Sequence, residues 1–238
     1  MSDRNFLFRL ISSIWRGVDG VRKILHLLLL VALFLVFFGA LSGGPTLIAQ
    51  KAALIIQPAG PLVDQLDGDP YDRALAELLG DAAPQTLVQD VIDALSFAKT
   101  DDRITAVHLE LSLLGGGGLS KLRRIGAAIE DFKESGKPVV ASADYFSQSG
   151  YHLAAHADEL YMPPEGMVFF EGYGGFRSYY KEAIDKLRVD WNVFRVGTHK
   201  SFVEPYTRMD MSPEDRESRT RMIEQFWTMY QDDVEAAR

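Results

Sequence analysis

The sequence predicts an α/β domain with a largely parallel sheet covered by helices, and one apolar helix before it. Short β-branched or apolar runs alternate with helical segments along most of the chain. Helical crossovers between such runs make the strands parallel. One stretch near the N-terminus is almost wholly apolar. With 238 residues, 47% of them hydrophobic, the chain has enough material for one sizeable core, or for one domain with an appendage.

The first predicted element is the apolar run 24–41, in which only His26 is ionisable. Its length approaches the roughly 20 residues that cross a bilayer. Basic residues precede the run, and no charge follows it until Lys51. These basic residues are Arg4, Arg9, Arg16, Arg22 and Lys23. The positive-inside rule then predicts a cytoplasmic basic segment (1–23), a transmembrane anchor (24–42) and a domain (51–238) on the far, extracytoplasmic side of the membrane.

A cleaved signal peptide is the alternative for the same run. Ala40, Leu41 and Ser42 offer small residues at a cleavable spacing. The run is longer than a typical signal peptide, which favours an uncleaved anchor. With either outcome the domain faces outward.

The domain itself reads as strands alternating with helices after a loop at 60–69 that is rich in Gly, Pro and Asp. The predicted strands are 51–58, 104–112, 138–144, 159–162, 168–171 and 192–196. The predicted helices before the last one are 70–79, 86–99, 119–135, 147–157 and 177–187. Loops at the carboxyl ends of parallel strands are the expected places for a site.

The last predicted helix has a strong start at Ser212, with Pro213 in the first helical position and the acid Asp215 in the third. An apolar stripe then continues at helical spacing. Its members are Ile223, Phe226, Trp227, Tyr230 and Val234. Either the stripe closes the core of its own domain, or it packs against further polypeptide or another protomer.

Composition excludes several classes of function. The formal net charge of -8, with basic residues clustered only at the N-terminus, predicts no nucleic-acid partner. The chain has no cysteine, which excludes disulfides, thiol nucleophiles and cysteine metal sites. His152 and His156 are four apart on a predicted helix, but a zinc hydrolase needs glutamate where Leu153 stands, and a third ligand is not evident. We therefore expect packing histidines, no metal and no cofactor.

The run from Gly115 to Gly118 follows a predicted strand and precedes a helix. Glycines there allow backbone N–H groups to point at a phosphate or at the oxyanion of an acyl-transfer intermediate. The P-loop spacing is absent, which disfavours phosphate. A plain flexible turn is the alternative.

Lys200 precedes Phe202 and Val203, where its charge is expected to be partly removed from water. Such a lysine either extends its ammonium to the surface or has its pKa lowered, and only the second outcome gives a base. S-x-x-K pairs occur at 96–99 and 178–181, each inside a predicted helix. The companion motifs of penicillin-binding enzymes are missing, so we interpret both pairs as chance.

Three stretches carry a resemblance: G-K-P-V-V-A-S-A-D-Y-F-S-Q-S-G-Y-H-L-A, Y-Y-K-E-A-I-D-K-L and N-V-F-R-V-G-T-H-K-S-F-V-E-P-Y-T-R-M-D-M-S-P-E-D-R-E. They resemble the N-terminal half of the long form of the signal peptide peptidase A family, also called protease IV. The most specific part is G-T-H-K-S-F-V-E-P-Y-T-R-x-D-M-S. The resemblance runs from the apolar run to Arg238. It implies a crotonase-like or Clp-like α/β domain, the first of two tandem copies, in which the first copy supplies a general-base lysine and the second a nucleophilic serine.

Carried over to this sequence, the base falls on Lys200, which also acts as acid to the leaving amine. By adjacency alone, we expect His199 either to tune the site electrostatically or to have no role, and Ser201 to orient the lysine amine. Gly115, Gly116 and Gly117 fall where the fold family places its oxyanion turn.

The family's S-G-G-Y motif has its serine three residues before the tyrosine. Anchored on Tyr151, this position holds Gln148, which cannot attack a carbonyl. Ser147 and Ser149 are weaker alternatives, because one residue turns a side chain about 100° around a helix axis.

The resemblance implies a membrane-anchored serine peptidase that degrades cleaved signal peptides. Its partners are peptide substrates, the lipid bilayer, and a C-terminal serine-bearing domain or other protomers in a homo-oligomer. Two alternatives remain: a non-catalytic membrane-tethered module for peptide binding or assembly, and a homo-oligomeric peptidase that uses Ser149 or Ser147. An acyl-CoA enzyme of the crotonase type fits neither the anchor nor the Lys200 segment.

Overall fold

The computed structural model describes residues 3–41, 49–194, 196–197 and 200–238. The chain divides into two compact units, one that ends at residue 48 and a larger one from Ala49 to Arg238. Ser42 of the predicted anchor and His199 of the predicted lysine site lie outside the described residues.

The helices and strands largely alternate as predicted, with short additional elements at Leu62–Val63, Thr86–Leu87, Phe146–Ser147 and Glu204–Thr207. They are α1 (Asp3–Leu41), β1 (Ala52–Ile56), β2 (Leu62–Val63), α2 (Pro70–Leu79), β3 (Thr86–Leu87), α3 (Val88–Thr100), β4 (Ile104–Glu110), α4 (Leu119–Lys133), β5 (Val139–Ser142), β6 (Phe146–Ser147), α5 (Gln148–Ala155), β7 (Glu159–Tyr161), β8 (Val168–Phe169), α6 (Lys181–Lys186), α7 (Glu204–Thr207) and α8 (Pro213–Ala237).

Helix α1 is 39 residues long, and its segment Trp15–Gly39 is apolar and long enough to cross a membrane. These 25 residues extend about 38 Å at the helical rise, against about 30 Å for the hydrocarbon core of a bilayer. The helix begins at Asp3, so the basic segment predicted before the apolar run is helical as well. Asp19 pairs with Arg22 and Lys23 one turn further on.

The main sheet has four strands in the order β1-β4-β5-β7, and every pairing in it is parallel. Helices α3, α4 and α5 lie on the connections between these strands. The predicted α/β class with a mostly parallel sheet is therefore confirmed. The register places His108 beside Val140, and Glu110 beside Ser142, at the carboxyl ends of β4 and β5.

One face of this sheet is covered and the other is open. Val107, Leu109 and Ala141 point into a core that α3 and α4 close with Leu95, Ile129 and Phe132, among others. On the opposite face Ile55 is 63% exposed and Tyr161 57% exposed. Parallel sheets are normally covered on both faces, so this face is an available surface in the chain by itself.

Helix α8 starts as predicted, because the Ser212 side chain accepts a hydrogen bond from the backbone N–H of Asp215. Only part of its apolar stripe closes the core. Tyr230 is buried and donates a hydrogen bond to the carbonyl of Gln148, whereas Phe226 stays 39% exposed. Tyr230 therefore packs into its own domain as the first alternative predicts, and packing of the exposed part against further polypeptide or another protomer remains a prediction.

Three predictions differ from the structure: one strand does not form among the described residues, and two helices begin later than predicted. No strand forms among the described residues of the predicted segment 192–196; Phe194 and Val196 are 98% and 84% exposed, so no sheet edge orders them. The helix predicted from residue 177 begins at Lys181, because Arg177 instead bonds to the loop around Ser201. The helix predicted from residue 86 begins at Val88, since Thr86–Leu87 pairs with β2.

Candidate active site

The lysine segment lies just before the short helix α7. Lys200 is exposed, and Phe202, two residues further on, is 84% exposed. Gly197 adopts φ +103, and a Cβ there would lie 4.0 Å from the Cε of Lys200. The lysine stem therefore lies back against a turn that favours glycine.

The residue after the lysine is fixed to the start of α8. The Ser201 hydroxyl donates to Oδ1 of Asp215 at 2.7 Å. Its single proton is therefore directed at Asp215, and the predicted role of Ser201 in orienting the amine remains a prediction. Asp215 is only 5% exposed, so this contact lies in the interior.

Asp215 also binds two arginines. Arg177 Nη1 lies 3.1 Å from its Oδ2, and Arg219 Nε lies 3.1 Å from the same oxygen. Burial by itself raises the pKa of Asp215. Hydrogen bonds from Ser201 and Arg219, with the charges of Arg219 and Arg177, outweigh burial and lower the pKa below its ordinary value.

A second buried carboxylate, that of Glu204, binds the residue that caps α8. Glu204 is 2% exposed and accepts from the backbone N–H of Ser212 at 3.1 Å and from its hydroxyl at 2.5 Å. In a standard capping box the third helical residue makes the bond to the N-cap N–H. Here Glu204 makes it from outside the helix, which leaves Asp215 for the lysine segment.

The glycine turn meets the start of α5. Gly116 adopts φ +96, and a Cβ on Gly117 would lie 2.9 Å from the Cβ of Leu62. Among the described residues, the N–H groups of Gly116 and Gly117 have no acceptor. A Cβ on Gly116 would lie 3.5 Å from the Ser149 hydroxyl. The turn therefore presents two N–H donors close to the first turn of a helix.

At that helix start the three predicted side chains have different surroundings. Gln148 Oε1 accepts from the N–H of Gly172 at 2.7 Å. Ser147 is the N-cap residue, and its hydroxyl accepts from the N–H of Gly150 at 3.1 Å. Ser149 is the one whose hydroxyl faces the glycine turn. Of these three side chains, Ser149 is therefore the one with a hydroxyl close to the glycine turn.

The histidines belong to a separate polar cluster between α4, α5 and α8. His152 is 1% exposed, and its Nε2 lies 3.1 Å from Oδ2 of Asp233. His156 Nδ1 lies 2.8 Å from Glu130. Arg123 binds Asp233 with two nitrogens, at 2.7 and 2.8 Å. Both histidines thus pack between helices and form hydrogen bonds with carboxylates, and no group able to hold a metal occurs in the part of the chain that the structure describes.

Both lysines of the S-x-x-K pairs are used in ion pairs. Lys99 contacts Asp131 at 2.8 Å, and Lys181 contacts Asp185 at 2.8 Å. Ser178 lies before α6, outside the helix that was predicted to hold it.

Sequence reasoning missed Asp215, Glu204 and Arg177 as residues of the lysine segment. Asp215 was noted only as a capping acid of α8. The sequence does contain a signal for Asp215. Because Ser212 caps the helix by itself, the acid at the third helical position is not needed as a cap. A second acid, Glu204, lies eight positions before that serine.

Together these features define a parallel α/β domain in which a glycine turn faces a helix start and a lysine segment is fixed by buried carboxylates. Residues 131–238, which include Gln148 and Lys200, match Peptidase family S49. The predicted resemblance to signal peptide peptidase A is confirmed by this match and by the similarity to the relatives described next.

Curated relatives extend the match over nearly the whole chain. It is 36% identical over 232 residues to "Protease 4" of Salmonella typhi, covering 94% of this chain and 38% of that protein. It is 36% identical over 233 residues to "Protease 4" of Haemophilus influenzae, with the same coverage. "Serine protease SPPA, chloroplastic" of Arabidopsis thaliana is 28% identical over 140 residues, covering 59% of this chain and 20% of that protein. The chain thus spans 38% of the length of the first two relatives.

Solved structures with detectable similarity have titles of the enoyl-CoA hydratase and isomerase type. One from Silicibacter pomeroyi has 18% identity and a TM-score of 0.30, covering 52% of each chain. Another, from Mycobacterium avium subsp. paratuberculosis K-10, has 15% identity and a TM-score of 0.29, covering 63% of this chain and 72% of that chain.

Proposed function

We propose that this chain is the lysine-bearing half of a membrane-anchored serine peptidase of the Ser/Lys dyad type, which degrades cleaved signal peptides. One observation carries the proposal: the similarity to Protease 4 covers 94% of the chain and includes Lys200. A serine peptidase needs a base that takes the hydroxyl proton as the serine attacks the peptide carbonyl. Lys200 takes this proton and then gives it to the leaving amine.

The nucleophile comes from outside this helix start, because Gln148 occupies the family's serine position. A C-terminal serine-bearing domain or another protomer supplies the hydroxyl and covers Lys200. The exposure of Phe202, two residues after the lysine, supports such a cover, because a large exposed apolar side chain is available to pack against another domain. A dry cover is also what a lysine base requires in order to lose its proton near neutral pH.

The N–H groups of Gly116 and Gly117 suit the oxyanion of the acyl-transfer intermediate. If this half uses a hydroxyl of its own, the geometry favours Ser149. Its hydroxyl faces Gly116, whereas the Ser147 hydroxyl caps α5. Ser149 is therefore the nucleophile in the homo-oligomeric alternative.

The anchor in this proposal is α1, through its segment Trp15–Gly39. The basic residues at its N-terminal end support an N-terminus in the cytoplasm and a domain on the periplasmic side of the inner membrane. This position suits a peptidase whose apolar substrates are released into the same membrane. Such peptides bind in extended form along an apolar surface next to a strand edge.

A non-catalytic, membrane-tethered module for peptide binding or assembly is the second candidate. The observation that favours it is the bond between Gln148 and the N–H of Gly172, which gives glutamine a structural role in the serine's place.

Hydrolysis of a fluorogenic signal-peptide substrate by the native complex, purified from membranes, separates the candidates. We expect Lys200→Met to reduce kcat by at least about a thousandfold, the scale of general-base loss. The matched control Lys186→Met removes an exposed lysine of α6 and leaves kcat unchanged. If the native complex hydrolyses nothing, the binding module is favoured. If Lys200→Met retains full activity, the dyad proposal is rejected. If Lys200→Met and Ser149→Ala both abolish activity, the homo-oligomeric enzyme, in which Lys200 comes from a neighbouring protomer, is supported.

A further inference from the structure

The segment that follows Lys200 is held by one buried carboxylate. Asp215, 5% exposed, receives the Ser201 hydroxyl on one oxygen and Arg177 on the other. Removing a carboxylate from water is costly unless donors surround it. Here the donors come from the segment after the lysine, from the chain before α6 and from Arg219 on α8 itself.

Arg177 connects Asp215 with the backbone of the lysine segment. While Nη1 contacts Asp215, Nη2 donates to the carbonyl of Ser201 at 2.9 Å and to that of Phe202 at 3.3 Å. The two peptide units directly after Lys200 are thus bound by an arginine that the carboxylate itself holds in place. A charged, forked donor of this kind fixes direction as well as distance.

The start of α8 does not require this carboxylate. Ser212 caps the helix through the N–H of Asp215, and Glu204 occupies the N–H of Ser212. The side chain of Asp215 is therefore available to hold the lysine segment.

We propose that Asp215 is a positioning residue for Lys200. It holds Ser201 directly and, through Arg177, the carbonyls of Ser201 and Phe202. The backbone of the lysine is thereby kept in one place when its partner surface binds. The catalytic consequence rests on the proposed function, but the ordering of the segment does not.

Trypsin provides a test without peptidase activity, because the Lys200–Ser201 bond is itself a tryptic site. The full chain is digested in detergent micelles, and the peptide that ends at Lys200 is followed by mass spectrometry. In Asp215→Asn we expect the cleavage rate there to rise by about tenfold or more, since loss of charged hydrogen bonds raises local opening. Cleavage after Lys51, in the turn before β1, serves as the internal reference.

The matched control is Glu214→Gln, which neutralises the exposed acid one residue earlier and leaves the rate at Lys200 unchanged. An unchanged rate in folded Asp215→Asn overturns the proposal. If Asp215→Asn does not fold, Ser201→Ala removes only one of the bonds, and its rate at Lys200 must still rise by about threefold or the proposal is rejected.

Activity of the native complex adds a second readout. Asp215→Asn is expected to lower kcat by about tenfold or more with KM within about twofold, because a displaced base slows proton transfer and leaves peptide binding intact. Asp215→Glu restores the charge and is expected to recover part of kcat. A higher KM with unchanged kcat rejects the positioning role. If Lys200→Met retains activity while Asp215→Asn still accelerates tryptic cleavage, the proposed function fails and the ordering of the segment stands.

Discussion

Asp233 holds the last helix to the body of the domain, and its neutralisation should loosen α8. Its carboxylate binds Arg123 at 2.7 and 2.8 Å and His152 at 3.1 Å. Burial by itself raises the pKa of Asp233, but the hydrogen bonds from Arg123 and His152 and their charges lower it below its ordinary value. The variant Asp233→Asn keeps the size of the side chain and removes its charge.

The expected cost follows from the exposure of the partners. Arg123 is 44% exposed, so water screens its pair with Asp233, and we assign that pair about 1 kcal/mol or less. His152 is 1% exposed and loses a charged hydrogen-bond acceptor in this variant. That loss lowers the free energy of unfolding by about 1–2 kcal/mol more. The free energy of unfolding should therefore fall by about 2 kcal/mol in Asp233→Asn.

Urea unfolding of the full chain in detergent micelles measures this loss. Trp227 reports on α8, because its ring stacks on Tyr230 with centroids 5.5 Å apart. The matched control is Asp232→Asn, an exposed neighbour, with a change within about 0.5 kcal/mol. Equal unfolding midpoints for Asp233→Asn and Asp232→Asn would refute the reasoning. The double variant with Arg123→Met should be less destabilised than the sum of the two single variants, since the residues share one contact.

Two further predictions concern pH and the glycine turn. Burial lowers the pKa of His152, while its hydrogen bond with Asp233 opposes this effect. A histidine kept neutral by folding contributes stability that is complete above about pH 6.5 and is lost as the pH falls toward the lowered folded pKa. His152→Gln should therefore flatten the decline of the urea midpoint between about pH 7 and pH 5, and an equal slope in both proteins contradicts this account. Gly116→Ala should cost about 1–2 kcal/mol in urea unfolding, because φ +96 is unfavourable for a residue with Cβ. Gly174→Ala, at an open position without positive φ, is its control, and equal midpoints for these two variants reject the strain argument.

Local patterns predicted most of the fold because they depend on neighbours in sequence. The Ser212 cap, the alternation of strands and helices, and the parallel pairing of β1, β4 and β5 all follow from short-range signals. The segment 192–196 shows the limit of such signals. Its β-branched and aromatic residues have strand propensity, but a strand also needs a neighbouring strand, and the highly exposed Phe194 has no sheet beside it.

The parts of the candidate site that lie close together in sequence were also predictable. Lys200 and Gln148 could be located from a motif, and the glycine run showed the position of a turn. The bonds that hold the lysine segment connect residues 14 and 38 positions apart, Ser201 and Arg177 with Asp215. Contacts of that span depend on how helices and loops pack together, which periodicity and composition do not encode.

The hydroxyl of Tyr230 holds the carbonyl of Gln148, and so it connects the middle of α8 with the first turn of α5. The Gln148 side chain in turn grips the N–H of Gly172. The start of α5, whose Ser149 hydroxyl faces Gly116, is therefore bonded directly to α8. A displacement of α8 is therefore expected to change the distance between the Ser149 hydroxyl and the glycine turn.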